Sequence, residues 1–258
     1  MKRAWVIGGI LVAGAGLSFT LREQPAAEPS TGSADKGIAV VELFTSEGCS
    51  SCPPADAALM ELVDATRKDG RNVYALSFHV DYWNRLGWKD PFSNAAWSER
   101  QRSYADRLPG GVYTPQCVVN GNEQFVGSDR EALGKSVAHA LATAAPTTIE
   151  AQARWGDGSV EVDATITGDV MDVELVACLT EDGLSSDVRR GENSGKRLAH
   201  VGVVRDLSKT AAQEGHVHLR LEASSAEMRN NSHVIVFAQL KGQGKILGAT
   251  EAHVQGAQ

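Results

Sequence analysis

Gly37-Ile38-Ala39-Val40-Val41-Glu42-Leu43-Phe44-Thr45-Ser46-Glu47-Gly48-Cys49-Ser50-Ser51-Cys52-Pro53-Pro54 passes from an apolar run, through a short polar loop, to two cysteines and two prolines. The run Gly37 to Phe44 is nearly continuous in apolar residues, the pattern of a strand buried on both faces. Pro53 and Pro54 suit the first turn of a helix, where a missing N–H costs little. Leu59, Leu62, Val63 and Thr66 continue that helix with a core-facing spacing, and Gly70 ends it. The stretch therefore predicts a strand, a loop and a helix, with Cys49 and Cys52 at the strand-to-helix junction.

Further along the chain, Val73 to Val80 predicts a second buried strand. An aromatic insertion, Asp81 to Phe92, leads to a helix capped by Ser93 or Asn94, with Trp97, Tyr104 and Leu108 inward. Gln116 to Asn120 and Gln124 to Val126 predict a hairpin turning at Asn120-Gly121. Ser128-x-x-Glu131 has the form of a capping box opening a last helix, which Pro146 closes. The resulting order is β-α-β-α-β-β-α. After Pro146, seven strand candidates follow one another: Thr148–Trp155, Val160–Thr167, Val173–Thr180, Leu198–Arg205, His216–Glu222, His233–Leu240 and Ile246–Ala252. This switch predicts an α/β domain over 37–146 and an all-β, sandwich-like domain over 147–258.

Lys2 and Arg3 followed by the apolar run Ala4 to Leu21 read as a signal peptide or N-terminal anchor over 1–21. Residues 22–36, with Pro25, Pro29, Gly32 and Ser33, read as a flexible linker. The expected location is periplasmic or otherwise exported, with a membrane tether through the N-terminal segment as one form. A net charge of −7 argues against a nucleic-acid partner, which would demand a basic surface. Four cysteines are too few to staple a chain of 258 residues, so a large core must stabilise it.

Export to an oxidising compartment makes a disulfide at Cys49 and Cys52 sustainable. A helix N-terminus favours an anion, and thiolates there ionise below the usual value of about 8.5. Cys49 is the expected nucleophile and Cys52 the resolving partner, with no cofactor beyond a redox-active disulfide. The rival is copper(I) held by Cys49, Cys52, Cys117 and His79, a soft ligand set. A structural zinc site would need a second ligand pair, and Cys117 and Cys178 are isolated.

Val112-Tyr113-Thr114-Pro115 runs directly into Gln116-Cys117-Val118-Val119-Asn120-Gly121. Together with the CxxC, this segment resembles the thioredoxin superfamily, especially glutaredoxins and bacterial disulfide oxidoreductases. The resemblance implies a thioredoxin-like first domain and a cis Pro115 lying against the cysteine pair. It also implies that the backbone of Thr114 is left to pair with a substrate strand. Family members keep a carboxylate in the first strand as a proton relay, a role that Glu42 would take here at a different offset. The Ser50-Ser51 dipeptide departs from the family's more familiar Gly-Pro and Pro-His, so the redox potential does not carry over. Cys117, just after Pro115, is an accessory candidate, as a third thiol or a metal ligand beside the pair, or else a small buried hydrophobe.

The end of the second strand, His79-Val80-Asp81-Tyr82-Trp83, lies beside the cysteine loop if the two strands are parallel. Trp83, Trp88, Lys89, Asp90 and Phe92 would then wall a groove over the sulfurs, with His79 and Asp81 as accessory groups, or fold the insertion down as a satellite core. The run Arg189 to Arg197 reaches toward the thiols or forms a solvated hairpin, the second being the commoner use of a charge run. Val41 to Asp56, Ser77 to Trp83, Leu86 to Phe92 and Tyr113 to Gln116 resemble an exported bacterial family known as domain-of-unknown-function family 1223. Gly191-Glu192-Asn193 and Val203-Val204-Arg205 look similar to it as well. The expected function is thiol–disulfide oxidoreductase chemistry on a protein or small thiol or disulfide substrate, served by an unidentified redox partner. Copper handling and a non-catalytic binding module are the alternatives.

Overall fold

A computed structural model of the protein describes residues 1, 30–31, 37–223, 228 and 231–256. The segment read as a signal or anchor lies outside the described residues, apart from Met1. So does most of the segment read as a linker. Ser30–Thr31 (β1) are the described part of it, and they pair with a strand of the second half, Ser30 opposite Ala151. Among the described residues, no helix is long and apolar enough to cross a membrane.

From Ala39 the chain runs β2 (Ala39–Thr45), α1 (Pro53–Lys68), β3 (Val73–His79), α2 (Ala95–Ala105), β4 (Gln116–Val119), β5 (Glu123–Val126) and α3 (Arg130–Leu141). The rest is strands: β6 (Thr147–Trp155), β7 (Ser159–Gly168), β8 (Val173–Glu181), β9 (Leu184–Asp187), β10 (Arg197–His200), β11 (Val203–Ala211), β12 (Gly215–Glu222), β13 (Ser232–Leu240) and β14 (Ile246–Gln255). Pro53 and Pro54 occupy the first positions of α1. Asn94 caps α2, and Asp129, one residue past the expected Ser128, caps α3 by accepting from Ala132 N–H at 2.9 Å.

The division into a thioredoxin-like α/β domain over 37–146 and a separate β-sandwich over 147–258 is not what forms. One mixed sheet of twelve strands spans both halves in the order β12-β7-β6-β14-β13-β8-β11-β3-β2-β4-β5, with β1 beside β6. Among the described strands, β9 and β10 alone stand apart, as a two-stranded hairpin. The halves join where β11 runs parallel to β3, with Val203 opposite Ser77. Just before it, Ser77 N–H donates to Gly202 O at 2.7 Å. Gly202 sits at φ +60°, and a Cβ there would come within 2.4 Å of Ala75 O, so the seam closes only on glycine.

The residues explain the merger. A sandwich strand has one wet face and alternates, as β6 does with Ile149, Ala151 and Ala153 inward. β8 and β13 are buried along almost their whole length, because both of their faces are covered. On one face Leu175, Leu179, Val234 and Val236 pack with Ile149, Ile166 and Leu221. On the other, Val176, Cys178, Ile235 and Phe237 pack with Phe44, Leu76, Phe78, Trp97 and Tyr104 of the first half. A third cluster joins Val41 and Leu43 of β2 to Leu59 of α1 and Leu133 of α3.

Candidate redox site

β2 ends at Thr45, and Ser46 to Ser51 form the loop into α1. Cys49 and Cys52 are joined by a disulfide with Cα atoms 5.4 Å apart, and Cys52 is the N-cap of α1. Both sulfur-bearing residues are fully covered, while Ser50 and Ser51 between them are exposed. The Thr114–Pro115 peptide is cis, and Thr114 Oγ1 lies 3.4 Å from Cys49 Sγ. Trp83 Nε1 donates to Thr114 Oγ1 at 2.8 Å, and its Cβ sits 3.0 Å from where a side chain on Gly48 would begin. Cys49, Cys52, Thr114, Pro115 and Trp83 are thus one neighbourhood.

The other expected residues have different places. Glu42 is buried on β2, but Arg100 holds it with two contacts of 2.6 and 3.0 Å, and Tyr104 donates to it as well. It is one side of a structural ion pair. Cys117 lies in β4 opposite Leu43 and Phe125, where burial pushes its thiol far up. Asp81 accepts from Ser98 Oγ at 2.6 Å and ties the insertion to α2. His79 is buried with Nδ1 2.7 Å from Asp90 Oδ2. Among the described residues, the copper set of Cys49, Cys52, Cys117 and His79 is not gathered within mutual ligand reach.

Around the cysteine loop lies a buried polar network whose main members escaped the sequence analysis. Glu47, two residues before Cys49, is fully buried. Trp88 Nε1 donates to its carboxylate at 2.8 Å, Ser186 Oγ donates to it too, and His200 Nε2 lies 3.1 Å away. The far nitrogen of His200 is 4.0 Å from Asp56, and Asp56 accepts from Thr45 Oγ1 at 2.8 Å. Asp56 stands one helical turn below Cys52, on the same side of α1. Burial pushes its carboxyl up to about 6, with His200 and Thr45 pulling the other way. Burial also works on Asp90, but His79 and the N–H groups of Glu47 and Phe92 outweigh it and hold that carboxyl below the usual range. The rings of His79 and His200 meet edge to face, 4.6 Å between centres.

The segment between β9 and β10 straps this loop from outside. Asn193, fully buried, donates to both Glu47 O and Cys49 O at 2.9 Å. Ser50 N–H donates to the Glu192 carboxylate at 3.0 Å. Arg189 and Arg190 remain in solvent. The basic run is thus solvated in its arginines while its middle reaches the cysteines.

The fold has a counterpart among solved structures. A crystal structure of a protein from Agrobacterium tumefaciens is 28% identical to this chain, with a TM-score of 0.63, covering 83% of this chain and 94% of its own. Among curated proteins, nothing matches. A family model described as "Protein of unknown function (DUF1223)" matches residues 40–239, which takes in the cysteine loop, the aromatic insertion, the strap and the seam between the halves. The chain belongs to that DUF1223 family.

Proposed function

We propose that Cys49 and Cys52 form a redox-active pair that exchanges disulfides with a protein or small-molecule substrate in an extracytoplasmic compartment. The observation that carries this reading is a disulfide at the N-terminus of α1 with buried Asp56 one turn beneath it. In the reducing direction, the Cys49 thiolate attacks a substrate disulfide. A mixed disulfide forms and one substrate thiolate leaves. The Cys52 thiolate then attacks Cys49 Sγ and expels the second substrate thiolate. The substrate gains two electrons, and the pair loses two as its own disulfide forms. A thiol donor of the same compartment would restore the dithiol by the reverse exchange.

The surroundings support each step. The helix terminus favours the thiolate form of the attacking sulfur. Resolution requires Cys52 to lose its proton. Asp56, with a carboxyl that titrates at about 6, is a suitable acceptor near neutral pH. Thr114 beside Cys49, with Trp83 holding its hydroxyl, offers a surface for the substrate segment that carries the target disulfide.

The decisive variant is Cys49→Ser, assayed for exchange with a model disulfide such as oxidised glutathione. Loss of turnover is expected, and turnover equal to the parent's would overturn the mechanism. Copper analysis of the reduced protein is the companion measurement: absence of bound copper is the expected result, and one ion per chain would transfer the site to metal handling.

A further inference from the structure

We infer that His233, Glu251 and His253 form a binding site for a divalent transition-metal ion of the zinc type, separate from the cysteine pair. β13 and β14 are antiparallel neighbours, and His233 lies directly opposite His253. Glu251 precedes His253 by two residues, so all three side chains rise from one face of the pair. One donor atom from each residue lies within 4.8 Å of the other two. The imidazole centres are 5.1 Å apart, and His233 Nδ1 is 2.7 Å from Glu251 Oε1.

Two imidazoles and a carboxylate are a ligand set for zinc(II), with water as the fourth ligand. Bond lengths of about 2.0–2.2 Å place tetrahedral ligand atoms roughly 3.3–3.5 Å apart, so the three donors need only small side-chain adjustments to receive the ion. The surroundings supply what such a site requires beyond its ligands. The other nitrogen of His233, Nε2, is 3.5 Å from Asp182 Oδ2, the kind of carboxylate that orients a metal-binding histidine. Asp182 is itself fixed, by Arg67 at 2.7 Å and by the Gly202 N–H at 2.7 Å. His253 is exposed and His233 and Glu251 are half-buried, so an ion enters from solvent. Glu251 and Asp182 together carry one more negative charge than Arg67 offsets, which suits a dication.

The test uses the full chain with its disulfide intact, so that the cysteine sulfurs cannot serve as thiolate ligands. Zinc titration by calorimetry should give one ion per chain. His233→Ala and His253→Ala should each weaken binding at least tenfold, and the Cys49→Ser/Cys52→Ser double variant should bind like the parent. Cobalt(II) should give the intense visible absorption of a tetrahedral site, lost in His253→Ala. His253 is exposed, so that variant leaves the fold intact. Absence of zinc binding, or binding and a cobalt spectrum unchanged by His253→Ala, would overturn the assignment. The second result would place the ion elsewhere, for example at His216 and His218.

Discussion

Asp56 ionises against its surroundings, because the core that covers it solvates a charge poorly. Its folded-state carboxyl titrates at about 6 against 3.8 for the ordinary group. A raised carboxyl favours the folded state below the ordinary value and loses that contribution as pH climbs to the folded one. The cost is therefore absent below pH 3.8, grows up to about 6 and is complete above it. Each pH unit between those two values is worth about 1.4 kcal/mol, so the full cost is about 3 kcal/mol. Asp56→Asn keeps an acceptor for Thr45 and removes the charge. It should be more stable than the parent at pH 8 by up to about 3 kcal/mol, and equal to it near pH 3.5, in denaturant titrations. A difference that does not vary with pH would show that Asp56 carries no such burden. Cys49, Cys52, Thr114, Pro115 and Trp83 are legible in the sequence because each sits in a contiguous motif. The roles of Glu47 and His200 are not, since what separates them from surface polar groups is burial, a tertiary property. Asp56 did leave a local sign. The spacing of Asp56, Leu59, Val63 and Thr66 puts a carboxylate on the apolar stripe of α1.

The β9–β10 hairpin works on the site as an element, through Asn193 and the Glu192 carboxylate rather than through its cationic side chains. Asn193 satisfies two carbonyls of the cysteine loop, and Gly191 and Gly195 take positive φ on either side of it. Cys49 is fully covered, with Thr114 and Ser51 against its sulfur and the strap against its carbonyl, so a partner thiol reaches it only when part of this cover moves. Asn193→Ala removes two buried hydrogen bonds, worth about 2 kcal/mol together, and should speed reduction of the disulfide by dithiothreitol on the order of tenfold or more. A rate unchanged from the parent would mean that access does not depend on the strap. A run dominated by Arg189, Arg190, Lys196 and Arg197 reads as a solvated hairpin. The residues that dock are the one amide in it, Asn193, and the one carboxylate, Glu192.

Across the whole molecule, most strands were legible to within a residue or two, as at β6 and β13, but the expected strand Leu198–Arg205 divides into β10 and β11 in different sheets, β9 went unread, and the assembly was not legible. The alternation in β6 and β12 reads as a sandwich. The unbroken apolar runs of β8 and β13 state that both faces are covered, and they separate one shared sheet from two domains. The shared sheet rests on the close approach at Gly202. Gly202→Ala should cost at least about 2 kcal/mol in unfolding experiments, through its left-handed backbone and its collision with Ala75 O. Stability equal to the parent's would mean that the seam is looser than its geometry. The same architecture orders events in time. Asn193 follows Cys49 by 144 residues. During synthesis, more than half the polypeptide is still unmade when both sulfurs have emerged. The cysteine loop therefore exists well before the segment that fastens it, and the lock is made long after the pair it holds.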